Sequence, residues 1–288
     1  MRHGTALRIG PASFRIASDW RAPIALLDRL YADYPRPEAG FADFTVRLEA
    51  KRPWRRWLRP SIHLGGDYML PDALPLSLAH GLLAAEMGMN LQMALGWRRQ
   101  LLLHASAVEK DGRALVMTGE SGSGKSTLAA MLGERGWRLL GDEFTLLDLD
   151  RPGVRGFPRM VSLKNEAIAA MAGEVAGERF GPLLRDTPKG AIRHLVPRRD
   201  AIARMDEGAL PAVLLYPRFG HAAAVRPLQK SENFMRLTQA STNYVALGER
   251  GYAALTRFVD TVPAFGVDYA SGAEGLATVE RLWAEHGR

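Results

Sequence analysis

The sequence predicts an α/β protein whose larger part is built around a strand–loop–helix unit. Two apolar segments, residues 101–108 and 114–118, have the character of neighbouring strands. A glycine-rich loop comes directly after them, and a helix over residues 126–135 is predicted to follow that loop. The chain has 288 residues and 47% of them are hydrophobic, so it can bury one large core or two small ones.

The first 98 residues are predicted to form a smaller α/β region. Residues 7–9, 13–16 and 44–48 alternate like strands, and residues 24–34 have helical spacing. The most apolar stretch, residues 70–97, carries charged and polar side chains and two prolines. A membrane span needs about 20 predominantly apolar residues, so we expect a packed, methionine-rich helix there instead. We therefore divide the chain into an N-terminal region, residues 1–98, and a second domain, residues 99–288.

The elements of the second region follow in order. Asp111-Gly112 suits a two-residue hairpin between the two apolar strands, because glycine tolerates a positive φ. Gly136 stands where a left-handed cap would end the helix over residues 126–135. Residues 137–140 are predicted to form the next strand, which ends at an acidic pair. A further strand is expected near residues 213–216, with helices over 251–262 and 274–286.

Composition excludes some functions and leaves others open. The chain has no cysteine, so disulfides, thiolate metal sites and cysteine catalysis are excluded. The first residues lack the apolar segment of a signal peptide, and we expect a cytoplasmic protein with no membrane span. A net charge of +7 suits nucleotide phosphates, an acidic peptide or nucleic acid equally, so charge alone does not decide the partner. We expect no nucleic-acid partner and leave a homo-oligomer open.

The sharpest basic cluster covers residues 51–59 and includes two tryptophans, Trp54 and Trp57. Basic side chains between tryptophans would suit anions or lipid headgroups. We favour a second interpretation, in which the segment is a solvated loop and both tryptophans pack inward.

The glycine-rich loop matches the phosphate-binding P-loop pattern at every fixed position, from Gly119 to Gly124-Lys125-Ser126. Its backbone N–H groups would converge on phosphate oxygens at the start of a helix. Lys125 would reach the β- and γ-phosphates, and the Ser126 hydroxyl would coordinate Mg²⁺. We expect the loop to bind ATP with Mg²⁺ through Gly119, Glu120, Ser121, Gly122, Ser123, Gly124, Lys125, Ser126 and Thr127.

The acidic pair Asp142-Glu143 closes the strand that follows the P-loop helix. In a parallel sheet this is the carboxyl end, next to the bound phosphates. Two carboxylates there can divide two tasks, since one can hold Mg²⁺ while the other accepts a hydroxyl proton. An acidic turn or a helix cap is the alternative. His104, predicted to lie on the strand before the hairpin, could orient Asp142 or tune its proton affinity.

Together these segments resemble the core of HPr kinase/phosphorylase, which has a histidine strand, a hairpin, a P-loop ending in Gly-Lys-Ser and an acidic pair. The whole chain is similar to the bacterial group called HprK-related kinase A, through segments such as residues 41–44, 56–60, 162–165, 186–190, 216–219 and 243–244. The resemblance implies a P-loop kinase of the HPr kinase and phosphoenolpyruvate carboxykinase-like fold. Such an enzyme transfers the γ-phosphate of ATP to a serine hydroxyl.

The resemblance also implies roles for individual residues. Asp142 matches the general base, Glu143 matches an acid near the metal, and His104 matches the histidine that supports the base. Glu143 departs from the aspartate of the family, and no segment matches the part that binds HPr. Four further residues are expected as substrate or phosphate contacts: Lys164, Asn165, Lys189 and Arg218.

The predicted function is therefore an ATP-dependent serine kinase that acts on a peptide or small protein, with Asp142, His104 and Lys125 in its catalytic machinery. The similar group implies a PqqD-like peptide chaperone as a further partner. Two other interpretations stay open. One is a small-molecule kinase of the shikimate or gluconate type, and the other is a regulator that binds ATP without transferring phosphate.

Overall fold

The N-terminal region forms a five-stranded sheet covered by two helices. The computed structural model describes residues 2–38, 41–70 and 73–287. The strands pair in the order β1-β2-β3-β4-β5, and only β2 and β3 run parallel, joined through α1. The strands are β1 (His3–Ile9), β2 (Ala12–Ser18), β3 (Phe44–Ala50), β4 (Ser61–Gly66) and β5 (Leu76–Ser77). The helices are α1 (Arg21–Leu30) and α2 (Gly81–Gly96).

The remainder of the chain is built on a six-stranded mixed sheet in the order β16-β17-β15-β8-β7-β9, with two three-stranded sheets beside it, β11-β10-β6 and β12-β14-β13. The strands are β6 (Gln100–Leu103), β7 (Ala105–Lys110), β8 (Arg113–Thr118), β9 (Arg138–Gly141), β10 (Thr145–Asp148), β11 (Val154–Arg155), β12 (Val161–Lys164), β13 (Leu184–Thr187), β14 (Gly190–Leu195), β15 (Leu210–Phe219), β16 (Ala224–Pro227) and β17 (Ala264–Tyr269). The helices are α3 (Lys125–Glu134), α4 (Glu166–Ala172), α5 (Arg199–Ala203), α6 (Lys230–Ala240), α7 (Tyr244–Thr261) and α8 (Gly272–His286). The predicted α/β class is therefore confirmed as a mixed α/β fold with several sheets.

Most predicted elements of the second region form where the sequence indicates. The β7–β8 hairpin turns at Asp111 and Gly112, with φ of 54° and 77°. Gly136 takes the left-handed φ of 87° directly after α3. The helices predicted over 251–262 and 274–286 are the later part of α7 and nearly all of α8.

One predicted strand, residues 101–108, is wrong as a single element because it breaks at His104. The first part, β6, pairs with β10, and the second part, β7, pairs with β8. At the break, the His104 N–H donates to the Ala240 carbonyl (2.7 Å), and the Thr118 hydroxyl donates to the His104 carbonyl (2.9 Å). These bonds hold the backbone of His104 outside both ladders, next to the end of β8.

The main sheet also differs from the parallel sheet expected around the acidic pair. Strand β7 runs antiparallel between β8 and β9. Because two reversals restore direction, β9 still points the same way as β8, and the parallel strands β15 and β17 do so too. Four strands therefore end at one edge of the sheet, at Thr118, Gly141, Phe219 and Tyr269.

The cores of the two regions are continuous across residue 98. Helices α3 and α8 pack on one face of the main sheet, and α6 and α7 pack on the other. A third apolar cluster combines the N-terminal sheet with Leu102, Phe144 and Phe157. The methionine-rich helix α2 contributes Met89 and Met93, both fully buried, to this cluster. Within the described ranges no helix is both long and apolar enough to cross a membrane.

The prediction for the basic cluster at residues 51–59 is wrong in one respect, because neither tryptophan packs inward. Trp54 is 52% exposed and Trp57 is 73% exposed. Pro53 begins a short 3-10 turn that ends at Arg56, and Arg56 is the residue that turns inward, to pair with Asp19. One cation of this segment, Arg56, is thus partly buried, while the two tryptophan rings are exposed.

Candidate active site

The glycine-rich loop, residues 119–124, leaves β8 at the shared carboxyl edge and enters α3 at Lys125. Gly119, Gly122 and Gly124 have φ of 150°, 86° and 97°, a region in which side chains are strained. Gly124 also approaches Tyr269 so closely that an added Cβ would lie 2.0 Å from the Tyr269 hydroxyl oxygen. The Phe219 N–H donates to the Ser123 carbonyl (3.2 Å), which fixes the loop to the end of β15.

Lys125 is folded back onto the loop. Its Nζ donates to the carbonyls of Gly119 and Glu120, both at 2.8 Å, and the side chain is buried. Burial lowers the pKa of Lys125, while Asp142 and Glu143 act in the opposite direction. An anion placed in the loop would offer this ammonium group a stronger partner than the two neutral carbonyls.

Asp142 follows β9 and is only 1% exposed. Ser106 donates its hydroxyl to Asp142 Oδ1, the Ser162 N–H lies 3.4 Å from Oδ2, and the side chain of Ser126 is near enough to lower the pKa of this carboxyl. Burial raises the pKa of Asp142, and the neighbouring charge of Glu143 raises it further, against the hydrogen bonds from the two serines. This carboxylate is therefore held on several sides by donors, one of which belongs to the first turn of α3.

Glu143 is partly exposed, with 25% of its side chain accessible, whereas Asp142 is buried. Its backbone has a φ of 68°, which is uncommon for a residue with a side chain and typical of functional turns. His104 Nδ1 lies 3.7 Å from one Glu143 carboxylate oxygen, and Lys164 Nζ lies 3.8 Å from the other. His104 was expected to support Asp142, but its nearest carboxylate is Glu143.

The two neighbours of Glu143 differ in charge. Burial lowers the pKa of His104, although Glu143 acts to raise it, so the imidazole is neutral near pH 7. Burial disfavours the charged Glu143 too, but Lys164 and His104 outweigh it, and the pKa of Glu143 is lowered. Glu143 is thus an ionised carboxylate with one cation beside it.

A cleft of about 950 Å³ opens in front of the loop. One wall consists of Gly119, Glu120, Ser121, Thr118, His104 and Glu143. The opposite wall is largely apolar and comes from the N-terminal region, with Leu64, Leu70, Ala73, Met87, Leu91 and Ala94. A third side carries Tyr216, Arg236 and Gln239. Arg236 stacks over the Tyr216 ring at 5.0 Å from its centroid.

The four expected substrate or phosphate contacts separate in the structure. Lys164 and Lys189 lie close to Glu143, on the side away from the large cleft. The Asn165 side chain instead braces the β13–β14 turn: its Oδ1 accepts from the Ala191 N–H (3.1 Å), and its Nδ2 lies 3.4 Å from the Lys189 carbonyl. Arg218 is paired with Asp268 (Nε to Oδ1, 2.7 Å) and does not line the cleft. Only the two lysines therefore face the acidic pair.

Several polar residues of the site did not stand out in the sequence. Ser106 and Ser162 lie in strands within segments that carry the resemblance, but the sequence suggests no role for either, and Arg159 lies in an irregular segment outside them. Alternation gives one signal, because Ser106 occupies a position at which a wholly apolar strand would carry Val or Leu. The contacts with Asp142 depend on pairing between strands far apart in sequence.

The arrangement suits an anion with a divalent cation. In the described part of the chain no three acidic or histidine side chains gather into a metal site of their own. Mg²⁺ is commonly held by one or two carboxylates and completed by substrate phosphates, and Ser126 with Asp142 offers such a partial set. The residues present therefore fit Mg²⁺ bound together with a polyphosphate.

Neither protein-family models nor curated proteins give a match to this sequence. Among solved structures, the HPr(Ser) kinase/phosphatase from Coxiella burnetii is similar to this chain with a TM-score of 0.28 and 14% identity, over 64% of this chain and 98% of that one.

Proposed function

We propose that the protein is an ATP-dependent kinase and that residues 119–127 form its P-loop. The observation that carries this proposal is the convergence of the loop, Lys125, Ser126 and the acidic pair at one edge of the sheet. The three positive-φ glycines give the loop a backbone conformation in which successive N–H groups can turn toward one anion, and α3 begins where its own N–H groups can meet that anion. The resemblance in the motifs supports the same interpretation.

Mg²⁺ would be held by Ser126 and Asp142. In P-loop enzymes the metal is bound by the hydroxyl of the loop and by an aspartate at the end of a neighbouring strand. The contact between Ser126 and the buried Asp142 supports this pairing. When bound, Mg²⁺ would neutralise charge on the β- and γ-phosphate oxygens. Asp142 does not line the cleft, whereas Glu143 does, so Asp142 is the less well placed of the two to accept a substrate proton.

Glu143 is the better candidate for the general base. It lines the cleft, it is ionised, and its carboxylate oxygens lie near His104 and Lys164. A substrate hydroxyl would attack the γ-phosphorus in line with the leaving ADP oxygen and pass its proton to Glu143. Lys125 would bind the β- and γ-phosphates, and Lys164 would offset charge on the transferred group. This exchanges the roles that the resemblance implies for Asp142 and Glu143.

The acceptor we propose is a serine hydroxyl in a peptide or small protein. The apolar wall of the cleft supports a substrate larger than a sugar, since that wall extends well beyond the loop. The cleft volume lies within the range of small-molecule pockets as well, so a metabolite kinase is the second candidate.

The test is phosphate transfer from γ-labelled ATP to the protein products of neighbouring genes, and separately to a panel of small hydroxyl compounds. Glu143→Gln should reduce transfer by about 10²–10⁴ with nucleotide binding retained. Asp142→Asn should instead raise the Mg²⁺ concentration required. If Asp142→Asn abolishes transfer at saturating Mg²⁺ while Glu143→Gln does not, Asp142 is the base. ATP binding without transfer to any acceptor, together with full biological function in Glu143→Gln, would indicate a regulator.

A further inference from the structure

A second, smaller cavity of about 170 Å³ lies on the other side of Glu143 from the large cleft, and we call it the side cavity. Its floor is the inner face of the β12–β14 pair, where Ser162 is opposite His194 and Lys164 is opposite Ile192. Helix α2 covers it with Leu83, Glu86, Met87 and Asn90. Glu143, Met87 and Asn90 line both spaces, so the two adjoin at the acidic pair.

The charged lining of the side cavity consists of three cations and two carboxylates. Arg159, Lys164 and Lys189 face it, against the carboxylates of Glu86 and Glu143. Glu86 is already satisfied, because it pairs with the buried Arg159 and accepts from the Tyr31 hydroxyl (2.8 Å). Glu143 is shared between His104 and Lys164. Within the described residues Lys189 has no ion-pair partner, so the cavity keeps a surplus of positive charge.

The buried His194 gives support for a ligand in the side cavity that is independent of the charge of its lining. The residue is 2% exposed and lines the side cavity, yet its Nδ1 has no hydrogen-bond partner in the described chain. Buried polar atoms are nearly always paired, and leaving one unpaired typically costs about 1–3 kcal/mol. Its unpaired nitrogen shows that the polar groups of the residues around the side cavity are not all satisfied within the described chain.

The hairpin that carries Lys189 is held in place by contacts of its own. Gly190 has a φ of 82°, and Asn165 binds the backbone on both sides of it. The Thr187 hydroxyl accepts from the Lys189 N–H (3.2 Å). Lys189 is therefore presented from a turn that three side-chain contacts and a left-handed glycine keep in one shape.

We propose that the side cavity binds an anionic group, a carboxylate or a phosphate, of the substrate whose hydroxyl reaches Glu143. The cavity has room for one such group and not for a nucleotide. Lys189, Lys164 and His194 would contact the anion, and Arg159, bound to Glu86, would contribute its charge from beneath. Its use as a substrate subsite rests on the proposed kinase function, and the anion site itself does not.

The test uses the full chain labelled at histidine, with the loop filled by Mg²⁺ and the non-hydrolysable analogue AMP-PNP so that added anions cannot enter it. Inorganic phosphate and acetate are titrated separately, and the His194 ring signals, assigned with His194→Gln, are followed by NMR. We expect a saturable shift with at least one anion. Lys189→Gln should weaken that binding about tenfold or more, since a hydrogen bond to a charged group is lost.

Arg185→Gln, an exposed change on the same hairpin, is the matched control and should leave the affinity unchanged. Phosphate without acetate would identify a phosphate site, and binding of acetate would identify a carboxylate site. No saturable shift with either anion, or equal affinity in Lys189→Gln, would overturn the proposal. If AMP-PNP itself does not bind, the proposed kinase function fails instead, and the same titration in Lys125→Ala still tests the side cavity.

Discussion

The ion pair between Arg159 and Glu86 joins helix α2 to the segment that enters β12, and its burial makes its energetic role measurable. The two side chains are 3% and 5% exposed. Arg159 also donates to the Glu86 carbonyl (3.0 Å) and contacts the Asn90 side chain. Arg159→Met would leave the Glu86 carboxylate buried with only the Tyr31 hydroxyl as partner. Breaking such a pair costs about 3–5 kcal/mol.

A double-mutant cycle separates the interaction energy of the Arg159–Glu86 pair from the packing energy of each side chain. For a chain of this size, 3–5 kcal/mol corresponds to a loss on the order of 10 °C in Tm. Glu86→Met should cost a similar amount, because it leaves the guanidinium buried and unpaired. The double variant Glu86→Met/Arg159→Met should be no less stable than either single variant, since it buries no unpaired charge. That pattern corresponds to a coupling of at least about 3–5 kcal/mol.

The assay is urea unfolding followed by circular dichroism, with Tm from calorimetry. The matched control is the surface pair of Lys230 and Asp260, joined at 2.8 Å but 67% and 53% exposed. Asp260→Asn should change stability by less than about 1 kcal/mol. Two buried single variants that each cost less than about 1 kcal/mol, or effects that simply add, would refute the reasoning.

Two further predictions concern the loop and the side cavity. Gly124→Ala should lower stability and abolish ATP binding, because its Cβ would meet the Tyr269 hydroxyl at 2.0 Å. Gly122 is equally left-handed but has open space around it, so Gly122→Ala should cost only about 1 kcal/mol. Equal effects of the two substitutions in calorimetry and ATP titration would contradict this prediction. Burial lowers the pKa of His194, so the folded chain resists its protonation and loses stability as the pH falls below about 6.5. His194→Gln should therefore flatten the decline in Tm from pH 7.5 to 5.5, whereas the exposed control His221→Gln should not; identical slopes for wild type and His194→Gln would count against it.

The sequence predicts the loop and its supports well because their signals are local. A hairpin at Asp111-Gly112, a left-handed cap at Gly136 and the glycines of residues 119–124 each depend on the conformational freedom of one or two residues. The structure places each of these features as expected. Local signals also bring His104 close to the loop, because the hairpin fixes the register of β7 against β8.

The roles that we propose for Asp142 and Glu143 could not be predicted from local sequence signals. Adjacent acids look equivalent in sequence, and their environments differ only through Ser106, Ser162 and Lys164, which long-range strand pairing brings together. The break at His104 was missed for a related reason. Its cause is a hydrogen bond to Ala240, far along the chain, and an unbroken apolar run gives no sign of it.

The side cavity was equally hidden. Lys164 and Lys189 were expected as contacts, but His194 and Arg159 join them only because the β12–β14 pair packs against α2. Helix α2 itself is visible in the sequence as an apolar run, whereas its polar positions Glu86 and Asn90 look like interruptions of that run. Glu86 and Asn90 are polar because both contact the buried Arg159.

Binding of Mg²⁺ and ATP by residues 119–127 through Lys125 is tested most directly by a titration with a fluorescent ATP analogue. Wild type should bind saturably, with Mg²⁺ required for full affinity. Lys125→Ala should weaken binding by 10²-fold or more, on the order of a lost buried charge–phosphate contact. Lys110→Ala, on the hairpin at the opposite end of β7, should bind like wild type. Unchanged affinity in Lys125→Ala, or no binding by wild type, would contradict the account.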